Sequence, residues 1–308
     1  MSPRAVVFGY HDVGDRCLRV LVSEGWDVPL LVTHEADPSE KAWFADAGAT
    51  AQEYGIPVLR PASAAQSGME RTLNQLRPDF IFSFYYRSLI GDSLLKCARR
   101  AALNMHGSLL PKYRGRAPVN WAVLHGERET GATLHHMVGR ADAGDIVDQQ
   151  AVPILGDDTA QDVMGKVTTA AEIVLARSLP LLAAGKAART PQPGGTPYFG
   201  RRTPEDGRID WNWPAARIHN LVRAVAPPFP GAFADVSGQR WIIERTQLVP
   251  GRTEDDRRPH LFEESGACYV GCGDGGVLKL LAASTAGAPL DLTRLAQDLA
   301  AGRRATHL

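Results

Sequence analysis

Asn104 and His106 stand two apart at the end of an apolar run, at the head of the segment NMHGSLLPKYRGRAPVNW, residues 104–121. Side chains at i and i+2 of a strand project from the same face. Both therefore face one pocket if this run is a strand. Ligands of open α/β sheets bind outside the carboxyl ends of the strands, which is where this pair falls. An Asn amide can donate a hydrogen bond to a developing oxyanion. A His, with an unperturbed pKa of about 6.5, can take or relay a proton. On residue types alone the preferred reading is a strand end capped by its own polar side chains. A second segment, GATLHHMVGRADAGDIVD at 131–148, sets Asp142 and Asp145 after another apolar run. His135, His136 and the aspartates raise the question of a metal. No fixed metal-ligand spacing supports one, and a loop with solvated carboxylates is the reading preferred.

These segments need elements to hold them. Short apolar runs at 5–10, 28–34, 56–59, 79–86, 101–106, 133–138 and 151–155 read as strands. Most are continuous and bounded by turn residues, as in strands buried on both faces. Helical patterns lie between them, at 14–25 with Cys17, Leu18, Leu21 and Val22 on one stripe, and at 159–186 with Gly185 as a stop. Alternation of this kind predicts an α/β domain with a Rossmann-like, mostly parallel sheet over residues 1–189. Residues 190–207, TPQPGGTPYFGRRTPEDG, are rich in Pro and Gly and read as a linker. Beyond it, over 208–308, Pro214 opens a short helix. Strand-like runs follow at 231–236, 240–248, 267–272 and 276–283, with CGDGG as a hairpin signal and 249–261 as a polar loop. A last short helix falls near 291–300. This second domain is expected to be small and mostly β, a barrel.

Composition narrows the function. Lys plus Arg and Asp plus Glu both number 34, so the formal net charge is zero. A nucleic-acid binder generally carries a basic excess, so no nucleic-acid partner is expected. The turn after the first strand, GYHDVGD, lacks the G-x-G-x-x-G of dinucleotide sites, so no NAD is expected. Cys17, Cys97, Cys268 and Cys272 do not form paired zinc motifs, and read as core thiols in a reducing compartment. The N-terminus has no signal-peptide layout, and no apolar run reaches a membrane span of about 18 residues. The expected location is the cytoplasm, with no membrane partner.

The ordered series VVFGYHDVG, THEADPSEKAWF, IFSFYYRSLI, HGSLLPKYRGRAPVNW, HHMVGRADAGDIV, YFGRRTPEDG, HNLVRAVAPPFPGAF and CGDGG resembles the folate-dependent formyltransferase superfamily. Within it, the series is most similar to the formyltransferase domains that act on UDP-4-amino-4-deoxy-L-arabinose in lipid A modification and polymyxin resistance. The resemblance runs through nearly the whole chain and lifts Asn104 and His106 from a strand cap to a site. It implies a Rossmann-like sheet followed by a small, OB-like β-barrel. It implies a catalytic trio of Asn104, His106 and Asp142. It implies contacts to 10-formyltetrahydrofolate from Ser88, Leu89, Ile90, Arg116, Val138, Gly139, Arg140 and Ala141, with no metal. The NAD-dependent decarboxylase domain of bifunctional relatives has no counterpart in these residues, so that activity is expected to be absent. The implied acceptor is a nucleotide-linked amino sugar. Methionyl-tRNA is the alternative, disfavoured by the acidic segment THEADPSEKAWF and by the balanced charge. A non-catalytic folate- or nucleotide-binding module is a third reading, disfavoured by the intact trio.

Overall fold

The computed structural model describes residues 2–35, 43–62, 68–302 and 308. The segment 33–44 quoted above falls largely on 36–42, outside the described residues. In chain order the elements are β1 (Arg4–Gly9), α1 (His11–Ser23), β2 (Asp27–Val32), α2 (Ala47–Glu53), β3 (Val58–Leu59), α3 (Met69–Leu76), β4 (Phe80–Phe84), α4 (Asp92–Leu95), β5 (Ala101–His106), β6 (Arg114–Gly115), α5 (Pro118–Leu124), β7 (Glu129–His136), β8 (Ile146–Pro153), α6 (Ala160–Ala184) and β9 (Tyr198–Phe199). There follow α7 (Ala215–Val225), β10 (Ala232–Val236), β11 (Gln239–Thr253), β12 (His260–Glu264), β13 (Ala267–Gly271), β14 (Gly276–Thr285), β15 (Ala288–Pro289) and α8 (Leu292–Ala300).

The chain divides into two compact units. The first comprises Met1–Pro118, Glu129–Val152 and Gly165–Gly200. The second comprises Val119–Arg128, Pro153–Met164 and Arg201–Leu308. The first is built on a seven-stranded sheet ordered β3-β2-β1-β4-β5-β7-β8. From β3 to β5 neighbouring strands are parallel, and β7 runs antiparallel to β5. β4 reads FIFSF with every residue buried, the signature of a strand covered on both faces. α1 packs through Val13, Cys17, Leu18 and Leu21, a helical stripe, all fully buried. Its Gly14 lies so close to β1 that an added Cβ would stand 2.9 Å from the carbonyl carbon of Gly9. Strand order reverses between β1 and β4, so their carboxyl ends open the crevice where such sheets bind ligands.

The expected linker 190–207 differs. Residues up to Gly200 cluster with the first unit, and β9 within them pairs with β6 in parallel. Pro and Gly there shape a strap tied down by side chains, not a free connection. α6 is long and apolar enough to cross a membrane by length and composition, so the sequence does contain one such stretch. Half of that window is buried within the protein, including Val167, Ala171, Val174 and Leu175.

The second unit holds a six-stranded antiparallel sheet, β10-β11-β14-β13-β12 with β15 on β14. Among the described residues no pairing joins β10 to β12. β11 is 15 residues long and carries several register shifts against β14, which bend a strand. Trp241, Ile243, Val270 and Leu278 are buried on this sheet. The CGDGG turn is a hairpin, with Gly275 N–H donating to Cys272 O at 2.8 Å. Of the polar loop expected at 249–261, residues 254–259 join β11 to β12, whereas 249–253 end β11 and 260–261 begin β12. Polar residues suffice there because Arg252 lies 5.0 Å over the Phe262 ring and 5.3 Å over Tyr269, covering the sheet with its own side chain.

Candidate active site

The site is assembled at the end of β5, in the first unit. In the ladder with β7, Asn104 stands directly opposite His135, and His106 opposite Thr133. Asn104, His106 and His135 thus share one face of the sheet, and the loop after β7 brings Asp142 onto it. The Asp142 carboxylate Oδ1 lies 3.4 Å from Asn104 Nδ2, 3.5 Å from His135 Nε2 and 3.6 Å from His106 Nδ1. Its Oδ2 accepts a hydrogen bond from Gly115 N–H at 3.0 Å. Asp142 has φ 54°, in the left-handed region that Asp tolerates better than most residues. The trio Asn104, His106 and Asp142 is therefore brought together.

Hydrogen-bond partners decide the tautomers. His106 Nε2 lies 2.8 Å from Tyr113 O. A carbonyl only accepts, so Nε2 carries the proton and neutral His106 keeps its lone pair on Nδ1, facing Asp142. His135 Nδ1 lies 2.9 Å from His136 O, so there Nδ1 carries the proton and Nε2 accepts. Asn104 Nδ2, 3.1 Å from that Nε2, is its donor. Both groups facing Asn104 Nδ2 are acceptors, which fixes the amide orientation. The Tyr113 carbonyl, and not Asp142, holds the His106 ring; the carboxylate stands ready for its charged form.

Electrostatics agree. Burial pushes the His106 pKa below its ordinary value, outweighing the opposing pull of Asp142 and of the Tyr113 hydrogen bond. Burial also opposes ionisation of Asp142, but the pull of the two imidazoles when they carry a second proton, with the Gly115 N–H bond, outweighs it and holds the carboxyl well below the usual range. The resting pair is a neutral imidazole beside a carboxylate. It can receive one proton at Nδ1 and form an ion pair. Around it, Gly107 has no room for a side chain, since a Cβ would collide with the Tyr85 hydroxyl.

The residues implied as folate contacts lie on two stretches of the same unit. Ser88, Leu89 and Ile90 follow β4, and Leu89 is 76% exposed. Val138, Gly139, Arg140 and Ala141 lead into Asp142, with Val138 47% exposed. The stretches are neighbours: a Cβ on Gly139 would lie 3.3 Å from Oδ2 of Asp92, just after the first stretch. Ile90 and Met137 also pack on one apolar cluster with Tyr86 and Leu94. Arg116 is exposed, and its N–H donates to Phe199 O at 2.9 Å. Two members of the site are not among those expected from sequence. His135 reads there only as a disfavoured metal ligand, and Gln192 falls in the expected linker. Gln192 Nε2 donates to Asp142 O at 3.1 Å. Among the described residues no group of three His, Cys, Asp or Glu is arranged to hold a metal ion.

Known proteins share this arrangement of chain. Residues 4–179 match the family described as formyl transferase, and residues 201–298 match formyl transferase, C-terminal domain. A similar solved structure is the N-formyltransferase from Helicobacter canadensis in complex with folinic acid and dTDP-3-aminofucose, 20% identical, with a TM-score of 0.72 over 91% of this chain and 99% of that one. Another is WlaRD, a sugar 3N-formyl transferase, in the presence of dTDP and 5-N-formyl-THF, 19% identical, with a TM-score of 0.72 over 93% and 98%. HypX from Aquifex aeolicus, in complex with tetrahydrofolic acid, is 18% identical with a TM-score of 0.63 over 97% of this chain and 48% of that one. At these identities the likeness is one of fold.

Proposed function

The chain belongs to the formyl transferase family, and on that footing we propose that it transfers a formyl group from 10-formyltetrahydrofolate to the amine of a nucleotide-linked amino sugar. The observation that carries this reading is the His106 Nδ1 lone pair set 3.6 Å from a carboxylate at a strand end. The stretches 88–90 and 138–141 suit a folate: Leu89 and Val138 offer exposed apolar side chains to a flat ring, and the backbone beside them offers donors and acceptors. When bound, 10-formyltetrahydrofolate supplies the formyl carbon and takes up the proton that the amine loses. His106 Nδ1 removes that proton from the attacking nitrogen as the new C–N bond forms. Asp142 stabilises the resulting imidazolium, while the Nε2–H bond to Tyr113 keeps the ring in place. His106 then returns the proton to the departing nitrogen. Asn104 Nδ2 donates to the oxyanion; its bond to Asp142, at 3.4 Å, is long enough to be shared. Holding amine and donor together contributes about 7–11 kcal/mol in favourable cases.

For the acceptor we propose UDP-4-amino-4-deoxy-L-arabinose, supported by the ordered series of motifs along the chain. With that acceptor the product would serve lipid A modification and polymyxin resistance. A second reading, a dTDP-linked amino sugar, is favoured by the dTDP-3-aminofucose and dTDP in the similar structures. The balanced charge argues against methionyl-tRNA. The test is to incubate the protein with 10-formyltetrahydrofolate and a panel of UDP- and dTDP-linked amino sugars and methionyl-tRNA, reading formylation by mass spectrometry. Formylation of an amino sugar alone is the expected result. Efficient formylation of methionyl-tRNA would overturn the acceptor class, and tight folate binding without turnover would restore the binding-module reading.

A further inference from the structure

The strap between α6 and β9 carries a side chain whose hydrogen-bonding capacity is matched on both sides. Gln192 Nε2 donates to the backbone carbonyls of Asp142 at 3.1 Å and Gly144 at 2.7 Å. Its Oε1 accepts from Arg114 Nε at 3.0 Å and Nη2 at 2.6 Å. Carbonyls only accept and a guanidinium only donates, so the amide has one orientation. Arg114 is 3% exposed, and its Nη2 also reaches Pro193 O at 3.3 Å. The loop that Gln192 grips has a left-handed Asp142 and a Gly144 at which a Cβ would collide with the His136 carbonyl. A carboxylate on such a loop keeps its place only if the backbone beneath it is held.

We propose that Gln192, itself held by Arg114, is a positioning residue that fixes the Asp142 carboxylate opposite His106 Nδ1. The same strap holds the other wall. Thr190 bridges Ile146, and Tyr198 and Phe199 pair with Arg114 and Gly115. Gly115 N–H in turn donates to Asp142, and Tyr113 O accepts the hydrogen bond from His106 Nε2–H. One segment thereby sets the distance between base and carboxylate. The role given to His106 rests on the proposed function, but the placement of the carboxylate can be read without any substrate.

The groups facing the His106 ring are Asp142 from the loop, His135 from β7 with ring centroids 6.4 Å apart, and the Tyr113 carbonyl. Arg114 lies near the carboxylate, and Arg140 lies near Arg114. Of these, only Asp142 raises the affinity of His106 for a proton through its charge. The test is to follow the His106 imidazole by NMR titration in the unliganded full chain, in the wild type, Gln192→Ala and Gln192→Glu. The Gln192→Glu variant would keep the pairing with Arg114 but could not donate to the two carbonyls. With the carboxylate freed, the His106 midpoint is expected to fall by about 1 pH in both variants, while the urea unfolding midpoint stays near that of the wild type. A wild-type titration in either folded variant would overturn the proposal. If Gln192→Ala does not fold, Gln192→Glu decides it alone. Failure to find an acceptor would leave this readout untouched, so the two claims fail separately.

Discussion

His106 in the first unit and His219 in the second are both buried imidazoles whose Nε2–H donates to a backbone carbonyl, at 2.8 Å to Tyr113 and 3.0 Å to Gly156. Burial lowers the proton affinity of both. They part at the other nitrogen. His219 Nδ1 accepts from the buried Thr246 hydroxyl at 3.0 Å, so every capacity of that ring is used. His106 Nδ1 faces a carboxylate, which has no proton to give. A histidine satisfied on both nitrogens joins elements, whereas one left with a lone pair beside an anion can take a proton. The site lies where the second pattern occurs, although burial and the carbonyl bond are common to both.

Substitutions should separate the two. His106→Ala should lower turnover by about 10²–10⁴, through loss of proton transfer, with little change in the urea midpoint. Asn104→Ala should cost about 10²–10³ in kcat through a lost oxyanion donor; near-normal turnover would take the amide out of the mechanism. His219→Ala should leave kcat almost unchanged and destabilise the fold by roughly 1–3 kcal/mol, because Thr246 and Gly156 O lose their partner. Equilibrium unfolding measures this, and a stable variant with poor kcat would collapse the distinction.

The smallest effect concerns pH. Burial first, then the Arg189 charge, lowers the His136 pKa from 6.5 to about 4. Between those values the unfolded chain binds more protons than the folded one, so stability falls as pH drops through that window. The loss at about pH 5 is on the order of 1 kcal/mol, after allowance for screening of a partly exposed ring. A melting temperature that does not fall between about pH 7 and pH 5 would contradict this sign.

Legibility in the sequence followed the range of the interactions. The N-x-H spacing of Asn104 and His106 needed only strand alternation, and the parallel strands announced themselves as continuous apolar runs. Asp142 could be chosen over the neighbouring Asp145 and Asp148 only through the family resemblance. His135 was out of reach, because its place depends on the antiparallel register that sets it opposite Asn104. Gln192 was hidden for a similar reason. Its partners lie 48, 50 and 78 residues away, and the Pro and Gly around it signal a turn without saying what the turn encloses. In the second unit β12 was missed because a strand with one solvated face needs no apolar run, and Arg252 covers its aromatic residues.

Chemical rescue tests most directly whether His106 Nδ1 moves the proton during formyl transfer. Single-turnover transfer from 10-formyltetrahydrofolate to the amino sugar identified by the panel is measured in His106→Ala and Asn104→Ala, with increasing imidazole. The prediction is a rate that rises with free-base imidazole in His106→Ala and does not change in Asn104→Ala. Wild-type transfer in His106→Ala without imidazole, or equal rescue of both variants, would contradict it.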